Sequence, residues 1–233
     1  MKLHLKFGSR VIDFTLHYRD RKSLGIKVYP EGNVEVLAPA NSKPEKVIEK
    51  VRQKAPWILK QVEHFNSYKP VTPERKFVNG ETHLYLGRQY RLKIIPNDIN
   101  EIKLYRGRLW LYTRNTKREA WKQQLDKWYK NKAVIVFNEL MDEVLPGFNR
   151  YNIKRPALII RHMDKRWGSC TAAGKIILNA ELIKAHKGSI EYVIVHELSH
   201  LVYRNHTKAF LNLQSMVLPD WRKWKDRLEH ELA

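Results

Sequence analysis

The chain has 233 residues, 43% of them hydrophobic, enough for one large domain or two small ones with a packed core. Lys and Arg outnumber Asp and Glu by 44 to 24, a net charge of +20. That excess excludes a charge-balanced surface and leaves two readings, a solvated basic exterior or attraction to a polyanion such as nucleic acid or an anionic membrane, of which charge by itself favours the first. A single cysteine, Cys170, excludes an intrachain disulfide framework and fits a reducing compartment. The opening MKLHLKFGSRVIDF has no apolar core of signal-peptide length, and no apolar run approaches the roughly 18 residues of a membrane span. The expectation is a soluble cytoplasmic protein with no membrane partner.

Alternating Leu3, Leu5 and Phe7 begin a series of strands, continued by Val11 to Leu16 and Leu24 to Val28. Glu31-Gly32-Asn33 turns the chain into Val34 to Leu37. Ser42 and Glu45 have the spacing of a capping box before a helical segment over about 43–66, with Val47, Ile48, Val51 and Ala55 on its apolar face. Pro56 is expected to kink this helix or start a second one through Trp57, Ile58 and Phe65. Tyr68 to Pro73 reads as a connector. Strands return at His83 to Leu86, Tyr90 to Ile95, Ile102 to Tyr105 and Leu109 to Tyr112, separated by turn residues including Asn79-Gly80 and Arg106-Gly107. Thr116 and Glu119 form a second capping-box pattern ahead of a long helix over about Arg118 to Val144, closed by Pro146-Gly147. Strands are predicted over Ala157 to Met163 and Lys175 to Asn179, joined through Ala172-Ala173-Gly174. One helix begins near Ser189 and a last one follows Pro219. No internal repeat is visible. A composition break near Asn115 divides a β-rich region, 1–115, from a helical region, 116–233, either as two domains or as a junction inside one.

The helix beginning near Ser189 carries His196-Glu197-Leu198-Ser199-His200. Four residues is close to one helical turn, so His196 and His200 share a face and can bind one divalent ion. Ile190, Val193, Ile194, Leu198 and Leu201 mark the core stripe of the helix, and Glu197 falls inside it. A carboxylate on a buried face is costly unless something compensates it, and a dication does so. His206, five residues beyond His200, supplies a third imidazole once the chain leaves the helix at Asn205. Three histidines leave a zinc ion with an open fourth position, as a catalytic site requires, and Glu197 is placed to act as general base toward water. His4, His17, His64, His83, His162, His186 and His230 have no ligand-like partners nearby, and Asp220 reads as the start of the last helix.

Arg166-Trp167-Gly168-Ser169-Cys170, Ile176 to Asn179, the His196 to His200 motif and Asn205-His206 together resemble the YgjP-like zinc metallopeptidase family. The likeness extends to Arg21-Lys22-Ser23-Leu24, Glu31-Gly32-Asn33 and Ala55-Pro56-Trp57-Ile58, so it spans most of the chain. It implies metal ligation by His196, His200 and His206 and catalysis by Glu197. The spacing is also similar to that of SprT-like proteases acting on DNA-bound proteins. Tyr203 stands where metzincins carry glycine, which argues against that group. The expected architecture is α+β: a β-rich N-terminal half followed by a zincin-like helical metallopeptidase core with a small antiparallel sheet. Trp167, Gly168 and Ser169 are candidates for substrate binding, with the adjoining hairpin offering a strand edge to an extended peptide. The alternative for this segment is a tight turn in which Gly168 gives backbone freedom and Trp167 fills the core.

Two functions compete at this point. One is a zinc-dependent hydrolase acting on a peptide or protein. The other is a nucleic-acid-associated protein whose zinc site serves proteolysis of DNA-bound proteins or structure, with Lys122, Lys127, Lys130 and Lys132 as contacts. Cleavage of a non-peptide amide uses the same chemistry as the first. The oligomeric state is not legible in the sequence.

Overall fold

The computed structural model describes residues 1–29, 32–66, 75–164 and 166–232, with the side chains of 64–66 excepted. The proposed connector Tyr68 to Pro73 and the turn residue Glu31 lie outside the described residues. The fold is α+β, with two compact units, Met1–Val71 and Thr72–Ala233.

In the first unit, strands β1 (Lys2–Phe7), β2 (Arg10–Arg19), β3 (Gly25–Val28) and β4 (Val34–Pro39) precede helix α1 (Pro44–Asn66). The sheet order is β1-β2-β4-β3; β2 and β4 run parallel and the outer pairs antiparallel. Strand alternation sends Leu5, Ile12, Phe14, Leu16, Val34 and Val36 to one face, where Val47, Val51, Ala55 and Ile58 of α1 cover them. α1 is one continuous helix. Pro56 removes a single amide donor without ending it, because the apolar stripe on both sides of it stays anchored to the sheet. Pro44 takes the first helical position, a place that tolerates its missing amide, so the helix starts later than a Ser42 cap would set it.

The second unit opens with β5 (Thr82–Tyr85), β6 (Arg88–Pro96), β7 (Glu101–Tyr105) and β8 (Arg108–Thr113), then α2 (Arg118–Val144). Its order, β5-β6-β8-β7, again has a parallel central pair and antiparallel outer pairs. The chain therefore contains two copies of one four-strand-plus-helix topology, a repeat invisible at the level of residue identity. The hairpins at Leu86-Gly87 and Arg106-Gly107 place both central residues at positive φ (49° and 74°, 48° and 71°), the turn geometry that matches strand twist. α2 begins after Lys117 with no side-chain cap, so the Thr116 capping box does not form.

α2 decides the domain boundary. Its first half packs Trp121, Leu125 and Trp128 against Leu92, Leu109 and Leu111 of the sheet. Its second half sends Phe137, Leu140 and Met141 into the main core with Ile176, Leu178, Ile190, Ile194 and Leu198. One rigid helix shared by both layers joins the β5–β8 sheet to the C-terminal region, and the division falls at 71/72 rather than near Asn115.

Beyond a 3-10 helix over Leu145–Tyr151 come β9 (Leu158–Arg161), β10 (Gly168–Cys170) and β11 (Ile176–Asn179). The three-stranded sheet has order β10-β11-β9 and is mixed, not antiparallel as expected, because β9 pairs parallel to β11. Helices α3 (Lys187–Ser199), α4 (Lys208–Val217) and α5 (Trp221–Leu232) complete the unit.

Candidate active site

α3 is the central element. Ile190, Val193, Ile194, Val195 and Leu198 are all buried, so the helix is covered on nearly every side. His196 lies in its last turn and His200 caps it with helical backbone angles. The chain then turns, and Thr207 caps α4 by accepting from the Phe210 amide at 3.4 Å. The short passage between α3 and α4 swings His206 back over the first two histidines. The side-chain nitrogens of His196, His200 and His206 lie within 4.8 Å of one another, with His196 Nε2 and His206 Nε2 3.1 Å apart. No other such group of His, Cys, Asp or Glu occurs among the described residues; Asp220 and Cys170 stand outside it.

Two neighbours orient the rings. His200 Nδ1 lies 3.2 Å from the Tyr203 carbonyl, which only accepts, so Nδ1 carries a proton and Nε2 is the nitrogen turned toward the other two rings. His196 Nδ1 is 3.0 Å from Oε1 of Gln214, a fully buried amide that fixes the same tautomer. Phe210, fully buried, lies with its ring centre 5.1 Å from that of His196 and 4.8 Å from those of His200 and His206, and forms an apolar floor. Burial, reinforced by the other imidazoles, pushes His196 down to about 4, and burial also lowers His206, so both are uncharged at neutral pH.

Glu197 is 6% exposed. Burial raises its pKa to about 7 against the opposing pull of the Cys170 backbone amide and Arg166. The carboxyl faces β10, whose Gly168 is demanded by space: a Cβ there would meet Glu197 Oε1 at 2.6 Å and Val193 Cγ1 at 2.9 Å. Strand β10 lies at the edge of its sheet. The bonds from Asn179 N to Trp167 O and from Thr171 N to Lys175 O turn the odd-numbered residues toward β11. The backbone groups of Gly168 and Cys170 therefore point away from it, toward the cleft. That cleft, about 700 Å³, is lined by Gly168, Ser169 and Cys170 on one side and by His196, Glu197 and His200 on the other, with Arg166 and Arg204 beside them.

Trp167 does not line the cleft; it packs against the main core, since strand alternation turns it away from its neighbour Gly168. Three contributors were not anticipated. Gln214 and Phe210 come from α4, a helix the sequence reading passed over, though Thr207 followed by Phe210, Leu213 and Val217 carries a cap and a helical stripe. Asn179 is the third: its amide donates to the Met163 and Arg166 carbonyls at 2.8 and 3.2 Å and ties down the segment leading into β10. His83 is buried and 3.0 Å from Glu81, a carboxylate partner the sequence reading did not assign to it.

The YgjP-like metallopeptidase domain model matches residues 22–231, nearly the whole chain. The protein belongs to the YgjP-like metallopeptidase family. Family membership implies a metal ion, and the three imidazoles form the one group among the described residues suited to hold it. Among solved structures, the chain is similar to the metallopeptidase zymogen abylysin of Pyrococcus abyssi, at 19% identity and a TM-score of 0.38, covering 41% of this YgjP-like chain and 94% of that one. No curated protein matches the sequence. No helix among the described residues is long and apolar enough to cross a membrane.

Proposed function

We propose that the protein is a zinc-dependent peptidase in which His196, His200 and His206 hold the ion and Glu197 is the general base. The donor set fits. Two nitrogen lone pairs 3.1 Å apart repel unless a proton or a cation lies between them, and imidazoles oriented through Nδ1 are the usual zinc ligands. Bound zinc would supply Lewis acidity, polarising water and the scissile carbonyl.

The chain's own residues account for the rest. Glu197, poised at about 7, can take a proton from the attacking water and return it to the leaving amine. An extended peptide can pair with the outward amide and carbonyl of Gly168 and the carbonyl of Cys170, whose own amide is held by Glu197, which gives affinity with little side-chain selectivity. Such pairing lays the peptide backbone beside Glu197. Arg166 and Arg204 favour substrates with acidic groups near the scissile bond.

The observation that carries this reading is a buried carboxyl set between a convergent imidazole trio and an edge strand. The test is hydrolysis of a peptide library by purified protein with and without chelator, beside Glu197→Gln. Loss of turnover in both, with zinc still bound by the variant, is expected. Turnover in the variant equal to wild type would remove Glu197 from the chemistry.

A further inference from the structure

The sheet β5–β8 covers α2 with one face and turns the other away. Alternation places Arg91 and Lys93 of β6, Lys103 and Tyr105 of β7, and Arg108, Trp110 and Tyr112 of β8 on that second face. The acidic side chain among these outward strand positions is Glu101, and it is held by Lys103 at 2.9 Å. Tyr105 is 58% exposed, and Trp110 and Tyr112 are partly exposed. Each ring has a cation beside it: Arg106 at 5.1 Å from the Tyr105 ring centre, Arg108 at 5.7 Å from Trp110 and Lys103 at 5.8 Å from Tyr112. At the rim of the face, Arg91, Arg106 and Arg108 line a hollow of about 350 Å³. Among the described residues, none of these three arginines pairs with a carboxylate.

We propose that this face binds single-stranded nucleic acid. The arginine hollow receives a backbone phosphate, and unstacked bases lie on Trp110, Tyr112 and Tyr105. Trp110 and Tyr112 are two residues apart on one strand, about 6.8 Å, and Tyr105 sits on the adjacent strand directly opposite Arg108. Trp110 Nε1 donates to the Tyr105 carbonyl at 3.3 Å, which steadies the indole across both strands. Charge alone would serve any polyanion. Rings interleaved with cations serve one whose bases are free to stack, and a duplex keeps its bases inside. This assignment differs from the α2 lysines read from sequence: Lys122, Lys127 and Lys130 are exposed on the helix, while Lys132 lies over Trp128 at 5.9 Å. It is independent of the peptidase reading.

The test is fluorescence anisotropy of the full chain with labelled oligothymidine and oligouridine, the matching duplex, polyglutamate and anionic phospholipid vesicles, each over a salt series. The expected result is preference for the single strands over the other three, the two oligomers separating DNA from RNA. Trp110→Ala and Tyr112→Ala should each weaken single-strand binding about 10-fold or more, with Trp110→Phe close to wild type. Replacing Arg91, Arg106 and Arg108 by Ala should lower the salt slope by about 0.7, the share of the one phosphate held in the hollow. The control Lys46→Glu, Lys50→Glu, Lys54→Glu on α1 should keep the single-strand preference, and all variants should keep peptide turnover. Equal binding of duplex, polyglutamate or vesicles would overturn the proposal. So would absence of single-strand binding at low salt, or unchanged affinity in the Ala variants. If Trp110→Ala fails to fold, the exposed arginine variants decide by the same criterion.

Discussion

Replacing Gly168 by Ala tests the contact on which the proposed site turns. The added methyl would lie 2.6 Å from Glu197 Oε1, 2.8 Å from Glu197 Cγ and 2.9 Å from Val193 Cγ1. Comfortable contact begins near 3.5 Å, so the overlap with the carboxyl is about 0.9 Å. Neither neighbour yields freely. Val193 is buried in α3, and Glu197 is held by the Cys170 amide within a buried environment. Moving β10 instead would disturb its pairing with β11. Overpacking of this kind costs about 1–3 kcal/mol, and a general base displaced by close to 1 Å loses about 100-fold in turnover. Urea unfolding reads the first effect and peptide hydrolysis at saturating zinc the second, with Ser169→Ala as a control inside about 0.5 kcal/mol. An alanine variant equal to wild type in both would mean that β10 does not press on Glu197 in solution, and the placement of the strand edge would fall with it.

Gln214→Leu should weaken zinc binding about 10–100-fold, measured by competition with a chromophoric chelator, because His196 loses the acceptor that orients it; Gln214→Glu should restore most of it. In chelator, the raised pKa of Glu197 sets a pH dependence. The folded state holds this proton more tightly than the unfolded chain, so the stabilisation is full below 4.5 and is lost as pH rises to about 7. Glu197→Gln lacks this loss. It should gain up to about 3 kcal/mol relative to wild type across that window, and a pH-independent difference would contradict the burial of the carboxyl. Phe137→Ala, at a fully buried position, should cost about 3–5 kcal/mol in urea unfolding. Ile135→Ala, two residues away and 53% exposed, should stay within about 0.5 kcal/mol.

Local pattern was enough for much of this molecule. The alternation of Leu3, Leu5 and Phe7 and of Leu109 and Leu111 marked strands because each strand has one buried face. The stripe of Ile190, Val193, Ile194 and Leu198 put Glu197 on the buried side of its helix, and the structure has it there. The four-residue spacing of His196 and His200 brought two rings together for the same reason: within a helix, distance along the chain sets distance in space. Where the reading departed from the structure, the deciding contact came from elsewhere in the chain. Pro56 reads as kinking α1 or starting a second helix, and no second helix starts there, because packing against the first sheet carries α1 through it.

Residue type and spacing thus determined the α+β class, the major helices and strands, and the candidate ligands with their neighbouring carboxylate. Tertiary structure alone decided that α2 binds the second sheet to the C-terminal core, and that the two sheets repeat one topology. It also decided that Gly168 is the residue forced by Glu197 while Trp167 turns to the core, and that, on α4, Gln214 holds His196 and Phe210 floors the three imidazoles. Those features rest on strand order, packing and hydrogen bonds between segments far apart in sequence, which no local periodicity encodes.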